Sequence, residues 1–436
     1  MYRTPIGGAA LALALLISHR PAAVFHPQLW AEEGGYFADA YNVGASSVLW
    51  PTTAGYLVVV PRFVAWVAAA TLPIPAVPTL FVAVALACQL APVVFLLSAA
   101  GRAIVPSTAL RVGLAGLLVA VPDWELHANL TNAQWHLAVV AGLLLIAPPP
   151  RTHRGRILSA ATLVACGLTG PFVFALVVLA ACRVAENRAA RWWRLVFALT
   201  VTLALVQGLV LAVGSSRRAS VPPVVAAPDA PPCPGIPSRF HPPLGASPAR
   251  LVYLLADRVI LPAATGREGN VAVNLFAVRR GGLALALVLA TTAAGIAFAV
   301  RAPRPARLVA LYGGLLLVGA LLKPIGAGHD SQWRWLVAET GGNRYFFLPV
   351  LALIVVFGWV VSVIRPPWLR TTIAGVAGAV FLAGVAASWR YPVFPAAPLG
   401  PALAELAAAP PGTLVPVPIL PPGWVMCLRA GARPPS

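Results

Sequence analysis

Long apolar segments separated by short, arginine-bearing loops are the feature that most constrains how this chain folds. Hydrophobic residues make up 59% of its 436 residues and charged residues 10%, whereas a soluble domain carries about 25% charged residues. A soluble fold of this length lacks the interior to bury so much apolar side chain, and disorder requires low hydrophobicity. The composition therefore excludes a soluble enzyme and predicts a membrane protein with several spans.

Several of the apolar segments approach the roughly 20 residues that a spanning helix needs, and others are shorter. They cover residues 5–19, 55–72, 76–100, 108–122, 133–147, 157–182, 194–213, 281–300, 308–322, 345–364 and 371–388. Arginine is concentrated in short loops between them, and by the positive-inside rule these loops face the cytoplasm. The loops are 101–111, 151–156, 183–194, 301–307 and 365–370.

This orientation requires two departures from simple crossings. The segment 55–72 is expected to lie at the outer side as a juxtamembrane or re-entrant helix. The segment 157–182 is expected to cross twice or to form a hairpin broken at Thr169-Gly170-Pro171, and irregular backbone at membrane depth must be buried in protein. We therefore predict an all-α polytopic transmembrane helical bundle of about 11 spans, within a range of about 10–13, that begins in the cytoplasm and ends outside.

Two parts of unequal size follow from this arrangement. Residues 1–388 are predicted to form the transmembrane module, which includes a long Pro-rich extracytoplasmic loop at 214–280, and residues 389–436 a Pro-rich extracytoplasmic tail. Cys233 and Cys427 would both lie outside, where a disulfide is chemically allowed. No Cys/His spacing is typical of a metal site, so we expect no cofactor, and the sequence leaves a divalent metal open.

The formal net charge of +19 is unusual for so apolar a chain, and Lys323 is the only lysine among its 31 cations. Strong basicity is typical of proteins that bind nucleic acid, anionic lipid or an anionic substrate. Nucleic-acid binding needs a clustered basic face on a soluble module, so we expect no nucleic-acid partner. A GC-rich genome accounts for the larger part of the arginine bias, and arginine is also suited to binding phosphate.

The first predicted outer loop holds the densest acidic cluster of the chain, Glu32, Glu33 and Asp39, among aromatic residues suited to the membrane interface. Adjacent carboxylates in a partly dry pocket do not both ionise easily, so the pKa of one is expected to rise toward that of a useful base. The alternative is a solvated loop with an ordinary helix cap. Arg62, a cation in an apolar stretch, is a candidate functional residue, with snorkelling to headgroups as the alternative.

A second polar cluster precedes and enters the apolar segment 133–147. Its candidate sugar- or phosphate-binding residues are Asp123, Glu125, His127, Asn132, Gln134 and His136. If residues 129–136 are helical, Asn129, Asn132 and His136 share one face. Two alternatives stay open: the acids and His127 ligate a cation, or the cluster is a polar network that joins helices.

Two cations flank the loop near residues 323–344. Lys323 follows one apolar segment and Arg344 opens the next, and both are candidates for holding a phosphate leaving group. The long loop 214–280 adds further arginines. These are interpreted either as a basic rim that attracts a lipid-linked phosphate or as the ordinary composition of a solvated loop.

Four short segments, taken in order, resemble polytopic bacterial glycosyltransferases of the GT-C superfamily, and among them the GT39-like enzymes that use polyprenyl-phosphate sugars. Trp30-Ala-Glu-Glu-Gly34 resembles their W-A-E-D-G loop, and Gly55-Tyr-Leu57 with Pro61-Arg62 resembles the GYL…PR stretch after it. Asn129-Leu-Thr-Asn-Ala-Gln-Trp135 and Asn343-Arg-Tyr-Phe346 resemble the N-x-T-N-x-Q-W segment and the RYF start of a span. The resemblance covers the outer loops and the order of spans, within 1–150 and 320–365.

The resemblance implies a multi-pass enzyme of the bacterial cytoplasmic (inner) membrane. It would transfer a sugar from a polyprenyl-phosphate donor to a glycan, lipid or protein hydroxyl on the extracytoplasmic face. A carboxylate of the first outer loop would act as base in a single, inverting displacement. Glu33 matches a position usually occupied by Asp, so we expect Glu33 to be the base and Glu32 its neighbour or alternate. The residues expected to bind substrate beside them include Arg62, Lys323, Arg344 and Tyr345.

Three alternatives remain. A lipid-linked-glycan transporter or flippase is favoured by the break at Thr169-Gly170-Pro171, although it would want inverted repeats and polar residues at mid-span. An O-antigen ligase-like polymer transferase would depend on arginines of the loop 214–280. A non-catalytic assembly subunit would be indicated if Glu32 and Glu33 were dispensable. The expected partners are the lipid-linked donor and membrane lipids.

Overall fold

The computed structural model describes residues 3–53, 55–216, 243–267, 281–324, 331–338, 342–397 and 399–432. Within these ranges most of the chain is helical, as the apolar segments predicted. The α-helices are Arg3–His19, Ala22–Phe25, Glu32–Val43, Val59–Thr71, Val77–Leu97, Ala99–Ile104, Thr108–Ala120, Ala133–Ile146, His153–Gly167, Val173–Glu186, Arg191–Ser216, Pro248–Leu255, Leu261–Thr265, Gly281–Arg301, Arg304–Leu322, Gln332–Ala338, Phe347–Ser362, Pro367–Ala387 and Leu399–Ala408. Short 3-10 segments lie at Ser46–Leu49, Ile74–Ala76 and Asn343–Tyr345.

Five helical segments among the described residues are long and apolar enough to cross a membrane. They are Ile74–Leu97, Arg191–Val213, Gly282–Arg301, Arg304–Leu322 and Pro367–Ala387. Other apolar helices have 10–17 residues, among them Val59–Thr71, the segment expected at the outer surface. Large apolar side chains such as Leu205, Leu289 and Val376 are exposed on the long helices, which is typical of surfaces that face lipid. The fold is therefore that of a helical membrane protein, and the number of spans stays a prediction.

The segment 157–182 is divided into two helices, with the break where the sequence predicted it, between Gly167 and Val173. The backbone of the break pairs with another loop, because Val59 N donates to Leu168 O at 3.0 Å and Gly170 N donates to Leu57 O at 2.9 Å. The Gln207 side chain satisfies what remains: Nε2 donates to the carbonyls of Leu57, Gly167 and Gly170, and Oε1 accepts from Leu57 N. The irregular backbone is thus buried in protein.

The opposite ends of these two helices meet the arginine-rich loops. Arg183 Nη2 donates to Ala147 O at 3.4 Å, and Arg183 and Arg304 both pair with Glu186. Three of the loops predicted to be cytoplasmic therefore lie at one end of the bundle. The break at Gly170 lies at the other end, where it pairs with Leu57 and Val59, just after the loop predicted to be the first outer one.

The region predicted as a Pro-rich tail corrects the expectation of purely helical structure. It contains an antiparallel pair of strands, Leu414–Ile419 and Trp424–Arg429, which we call the C-terminal hairpin. Buried and partly buried residues alternate along the first strand, so that one face packs on the helix Glu32–Val43, which we call the acid helix. Asn42 fixes this contact: its Nδ2 donates to Cys427 O at 2.9 Å, and its Oδ1 accepts from Arg429 N at 2.8 Å.

Parts of the predicted long outer loop are also different from expectation. Residues 248–265 are helical, and Arg258 is buried, with its Nε and Nη2 donating to Leu336 O at 2.9 and 2.6 Å. An arginine held in this way belongs to the packed bundle and not to a solvated rim. Cys427 is disulfide-bonded. Cys233 and the arginines at 217, 218 and 239 lie outside the described residues.

Candidate functional site

The acid helix begins in a tightly held turn. Ala31, immediately before it, has a φ of 46°, which is the left-handed region that residues with a Cβ rarely adopt. The C-terminal chain holds this turn, because Ala31 N donates to Leu420 O and Leu420 N donates to Leu29 O at 3.0 Å. The tail therefore positions the two carboxylates that open the helix.

Glu33 is fully buried and its two carboxylate oxygens are occupied. Oε2 accepts from Trp30 N at 2.7 Å, and Oε1 accepts from Leu130 N and, at 3.4 Å, from Thr131 N. Burial raises the pKa of Glu33 to about 8, although these three N–H donors act to lower it. Glu33 thus ties the first outer loop to the second, and its oxygens are turned toward the backbone.

Glu32 is half-buried and faces a different group of side chains. Burial, with a contribution from the nearby Glu32 carboxylate, raises the pKa values of Tyr36 and Tyr56, and Glu32 also lies in the electrostatic environment of Arg344. Among the described residues no hydrogen bond or ion pair engages the Glu32 carboxylate. Its oxygens are available to a substrate, whereas those of Glu33 are not.

Arg344 is held by Glu125. Its Nη1 lies 3.0 Å from Glu125 Oε1, and its backbone N donates to Glu125 Oε2 at 3.1 Å. Gly342 N also donates to Oε1 at 2.9 Å, so Glu125 caps the short 3-10 turn that precedes the helix Phe347–Ser362. Burial acts to lower the pKa of Arg344, but Glu125, Tyr345 and Glu32 together outweigh burial, and the pKa is raised. The guanidinium also lies over the Tyr345 ring, 5.0 Å from its centroid.

Arg62 is likewise occupied. Its Nη1 forms an ion pair with Asp39 at 3.0 Å and donates to Val48 O at 3.2 Å, and the guanidinium lies 5.0 Å from the Tyr36 ring centroid. The charge of Arg62 is balanced within the protein. The geometry favours a role in joining the helix Val59–Thr71 to the acid helix over binding of a phosphate.

A shared face for Asn129, Asn132 and His136 required residues 129–136 to be helical, and the helix begins only at Ala133. Asn129 Oδ1 accepts from Asn132 N at 2.9 Å, and both asparagine side chains donate to Glu125 O, at 2.5 and 2.8 Å. Such side-chain bonds to the backbone compete with helix formation. Asn132 is therefore buried in its own loop and does not share a ligand-facing helix surface with His136.

The remaining predicted residues are dispersed. Gln134 lies beside the Tyr56 hydroxyl, close to Glu32 and Glu33, which we call the acid pair. His136 is buried in the bundle, with its Nε2 3.3 Å from Gln89 Nε2. Asp123 lines a small cavity with Arg258 and Asn343. Lys323 is exposed at the end of its helix and is not among the groups that interact with Glu33 or Arg344.

Sequence reasoning missed Arg20. It follows the first apolar segment, and its side chain turns inward, where Nη2 donates to His127 O at 3.1 Å. The guanidinium lies 5.6 Å from the Trp30 ring and 5.7 Å from the Phe394 ring. Its position at the predicted outer end of the first apolar segment conflicts with the positive-inside rule. That conflict was the available signal.

The described residues contain no group of three or more His, Cys, Asp or Glu side chains arranged to hold a metal ion. Glu125 and His127, which the cation alternative brought together, are separated, because Glu125 binds Arg344 while the His127 ring packs against Tyr391. Comparison with protein-family models, curated proteins and solved structures found no match to the chain.

Proposed function

We propose that the chain is a membrane glycosyltransferase of the GT-C type. It moves a sugar from a polyprenyl-phosphate donor to an acceptor hydroxyl at the end of the bundle that carries the acid helix. The observation that carries the proposal is the Glu32 carboxylate, which is half-buried, has no hydrogen-bond partner among the described residues and interacts electrostatically with Tyr36, Tyr56 and Arg344. A carboxylate in such a setting is suited to accept a proton.

Glu32 is the base in this mechanism. Its carboxylate removes the proton of the acceptor hydroxyl, the oxygen attacks the anomeric carbon, and the bond from that carbon to the lipid phosphate breaks. The leaving phosphate takes the bonding electrons and becomes more negative, and an arginine beside the site stabilises it. One displacement inverts the anomeric centre. Glu33 positions the helix and does not react.

The resemblance of Trp30-Ala-Glu-Glu-Gly34 to the W-A-E-D-G loop supports this class of enzyme but pointed to Glu33 as base. The hydrogen bonds to both Glu33 oxygens favour Glu32 instead. The flippase alternative drew on the broken helix at Gly170. Gln207 accounts for that break as a packed, hydrogen-bonded junction, so the break gives a transporter no particular support.

The test uses the purified full chain in lipid nanodiscs with a panel of radiolabelled polyprenyl-phosphate sugars, and measures transfer of label and release of polyprenyl phosphate. Glu32→Gln is expected to lower the rate by about 10²–10⁴-fold, the usual contribution of a positioned general base. Glu33→Gln is expected to lower the unfolding temperature and to leave a larger fraction of the activity.

Glu405→Gln is the matched control, since Glu405 is an exposed carboxylate on the helix Leu399–Ala408. It is expected to transfer sugar at the wild-type rate. Wild-type activity in Glu32→Gln would contradict the assignment of the base. Loss of activity in Glu33→Gln with an unchanged unfolding temperature would return the role to Glu33.

A further inference from the structure

The buried and partly buried arginines at the acid-helix end of the bundle differ in how their charge is balanced. Arg62 pairs with Asp39 and Arg344 pairs with Glu125, both at 3.0 Å. In the part of the chain that the structure describes, no carboxylate forms an ion pair with Arg20. Arg20 is nevertheless only 6% exposed. A buried charge without a counter-ion is costly, so this one needs an explanation.

The hydrogen-bonding capacity of Arg20 is only partly used. Nη2 donates to His127 O, whereas Nε and Nη1 are buried and have no acceptor. The side chain does not snorkel to the bilayer surface, as a cation at a span end ordinarily would, because its head is enclosed by Trp30 and Phe394. A water molecule would satisfy the N–H groups but would bring no negative charge, and Glu33, which favours the charged form of Arg20 electrostatically, forms no ion pair with it.

His127 adds a second set of unused polar atoms. Its ring is 1% exposed, and neither Nδ1 nor Nε2 has a hydrogen-bond partner. The ring lies edge-on to Tyr391, with 5.2 Å between centroids, and near His19, at 5.9 Å. Burial lowers the pKa of His127 well below its usual value, so the free ring is neutral and has one N–H to donate.

The neighbouring His19 is not available in the same way. Its Nδ1 lies 2.7 Å from Trp389 O and its Nε2 lies 3.0 Å from Val119 O, so both ring nitrogens face carbonyl oxygens. The uncommitted donors at this place are therefore those of Arg20 and His127. They lie next to the acid pair, because Trp30 contacts both. Its backbone N–H donates to Glu33, and its ring packs on the Arg20 guanidinium.

We propose that Arg20 and His127 form an oxyanion-binding subsite beside Trp30 that takes the phosphate group of a lipid phosphate. An oxyanion supplies both the missing negative charge and the missing acceptors. The choice of a lipid phosphate rests on the proposed function, whereas the oxyanion chemistry rests on the unpaired donors alone. During transfer the phosphodiester becomes a phosphomonoester with a second negative charge, and the His127 N–H donates to it.

The experiment measures binding of farnesyl phosphate to the purified full chain in detergent, by native mass spectrometry and by the shift in unfolding temperature. Farnesol and inorganic phosphate are the comparison probes. Wild type is expected to bind farnesyl phosphate at least tenfold more tightly than farnesol. Arg20→Gln is expected to abolish that preference, and His127→Phe to reduce it. Arg20→Lys, which keeps the charge, is expected to retain part of it.

Arg390→Gln is the matched control. The substitution removes the same charge from the same region. The Arg390 side chain, however, is exposed and donates to Ser18 O. Its affinity for farnesyl phosphate is expected to stay within twofold of wild type. Unchanged affinity in Arg20→Gln would overturn the subsite. Equal binding of inorganic phosphate and farnesyl phosphate would support the oxyanion site and overturn its assignment to a lipid.

Unfolding of the ligand-free variants separates binding from a structural role. A buried, uncompensated charge opposes folding, so ligand-free Arg20→Gln is expected to unfold at the same or a higher temperature than wild type. A lower temperature, together with no stabilisation of wild type by farnesyl phosphate, would show a structural arginine and overturn the proposal. Arg20-dependent binding without any sugar transfer would refute only the proposed function, and full transfer by Arg20→Gln would refute only the subsite.

Discussion

The Arg344 side and the Arg20 side of the acid pair are built from similar residues and are balanced differently. Glu125 satisfies Arg344 at the guanidinium and also at its backbone N, and raises the pKa of Arg344. Arg20 has an aromatic enclosure and one carbonyl acceptor, and burial lowers its pKa to about 10. A paired buried arginine contributes to the scaffold. An unpaired one is retained at a cost and marks a place where an anion is expected to bind.

The two glutamates repeat this contrast within one helical turn. Glu33 is satisfied by three backbone N–H groups, whereas Glu32 has no described hydrogen-bond partner. In the arginine pair and in the glutamate pair, one residue holds the structure and the other is left for chemistry. Arg344 and Glu33 are the structural members, and Arg20 and Glu32 are the others. Substitutions of the paired groups should therefore change stability first, and substitutions of the unpaired groups should change function first.

The largest stability effect is expected from Glu125→Gln. The variant leaves the partly buried Arg344 without its counter-ion, and removing one partner of a fully buried pair costs about 3–5 kcal/mol. We expect about 3 kcal/mol, because the Arg344 side chain is 25% exposed. Chemical denaturation in detergent measures it, with Glu405→Gln as the exposed control. A loss below about 1 kcal/mol would remove the distinction between the Arg344 and Arg20 sides.

The pH dependence of stability tests Glu33, which lies between the two sides. Its pKa is about 8 in the folded chain against 4.5 as the ordinary value, so the folded state binds more protons between these two pH values. Stability is then highest below pH 4.5 and decreases by a few kcal/mol as pH rises to about 8.

Glu33→Gln cannot ionise, so its stability is expected to be flat across this interval. The measurement is the free energy of unfolding at a series of pH values, with Glu405→Gln again as control. Identical pH profiles for wild type and Glu33→Gln would contradict the raised pKa of Glu33 and weaken the distinction between Glu33 and Glu32.

Much of the helical frame could be predicted from the sequence, because a membrane span requires a continuous apolar run. The segments 108–122 and 133–147 correspond closely to Thr108–Ala120 and Ala133–Ile146. The structure of the polar segments was harder to predict from the sequence. Asn129 and Asn132 form bonds to the backbone that replace a helical turn, and residues 414–429 pair as strands against a helix that lies far from them in sequence.

The residues of the candidate site could be predicted from the sequence, but the groups that they contact could not. The sequence identified Glu32 and Glu33 by their acidic cluster and Arg344 as a cation at the start of an apolar segment. It could not show that Glu33 is occupied by Leu130 N, nearly a hundred residues away. It also could not show that Phe394 of the tail encloses Arg20. Both depend on contacts between segments that are distant along the chain.

The smallest effect is expected from Asp39→Asn, which removes the counter-ion of Arg62. Asp39 is 50% exposed, so solvent screens the pair, and an exposed ion pair contributes about 1 kcal/mol or less. Val48 O and the Tyr36 ring remain as partners of the guanidinium. Denaturation of Asp39→Asn beside Glu125→Gln measures the difference between a screened and an enclosed pair. A cost of about 3 kcal/mol for Asp39→Asn would contradict this expectation. It would show that Arg62 depends on its carboxylate partner as strongly as Arg344 is expected to.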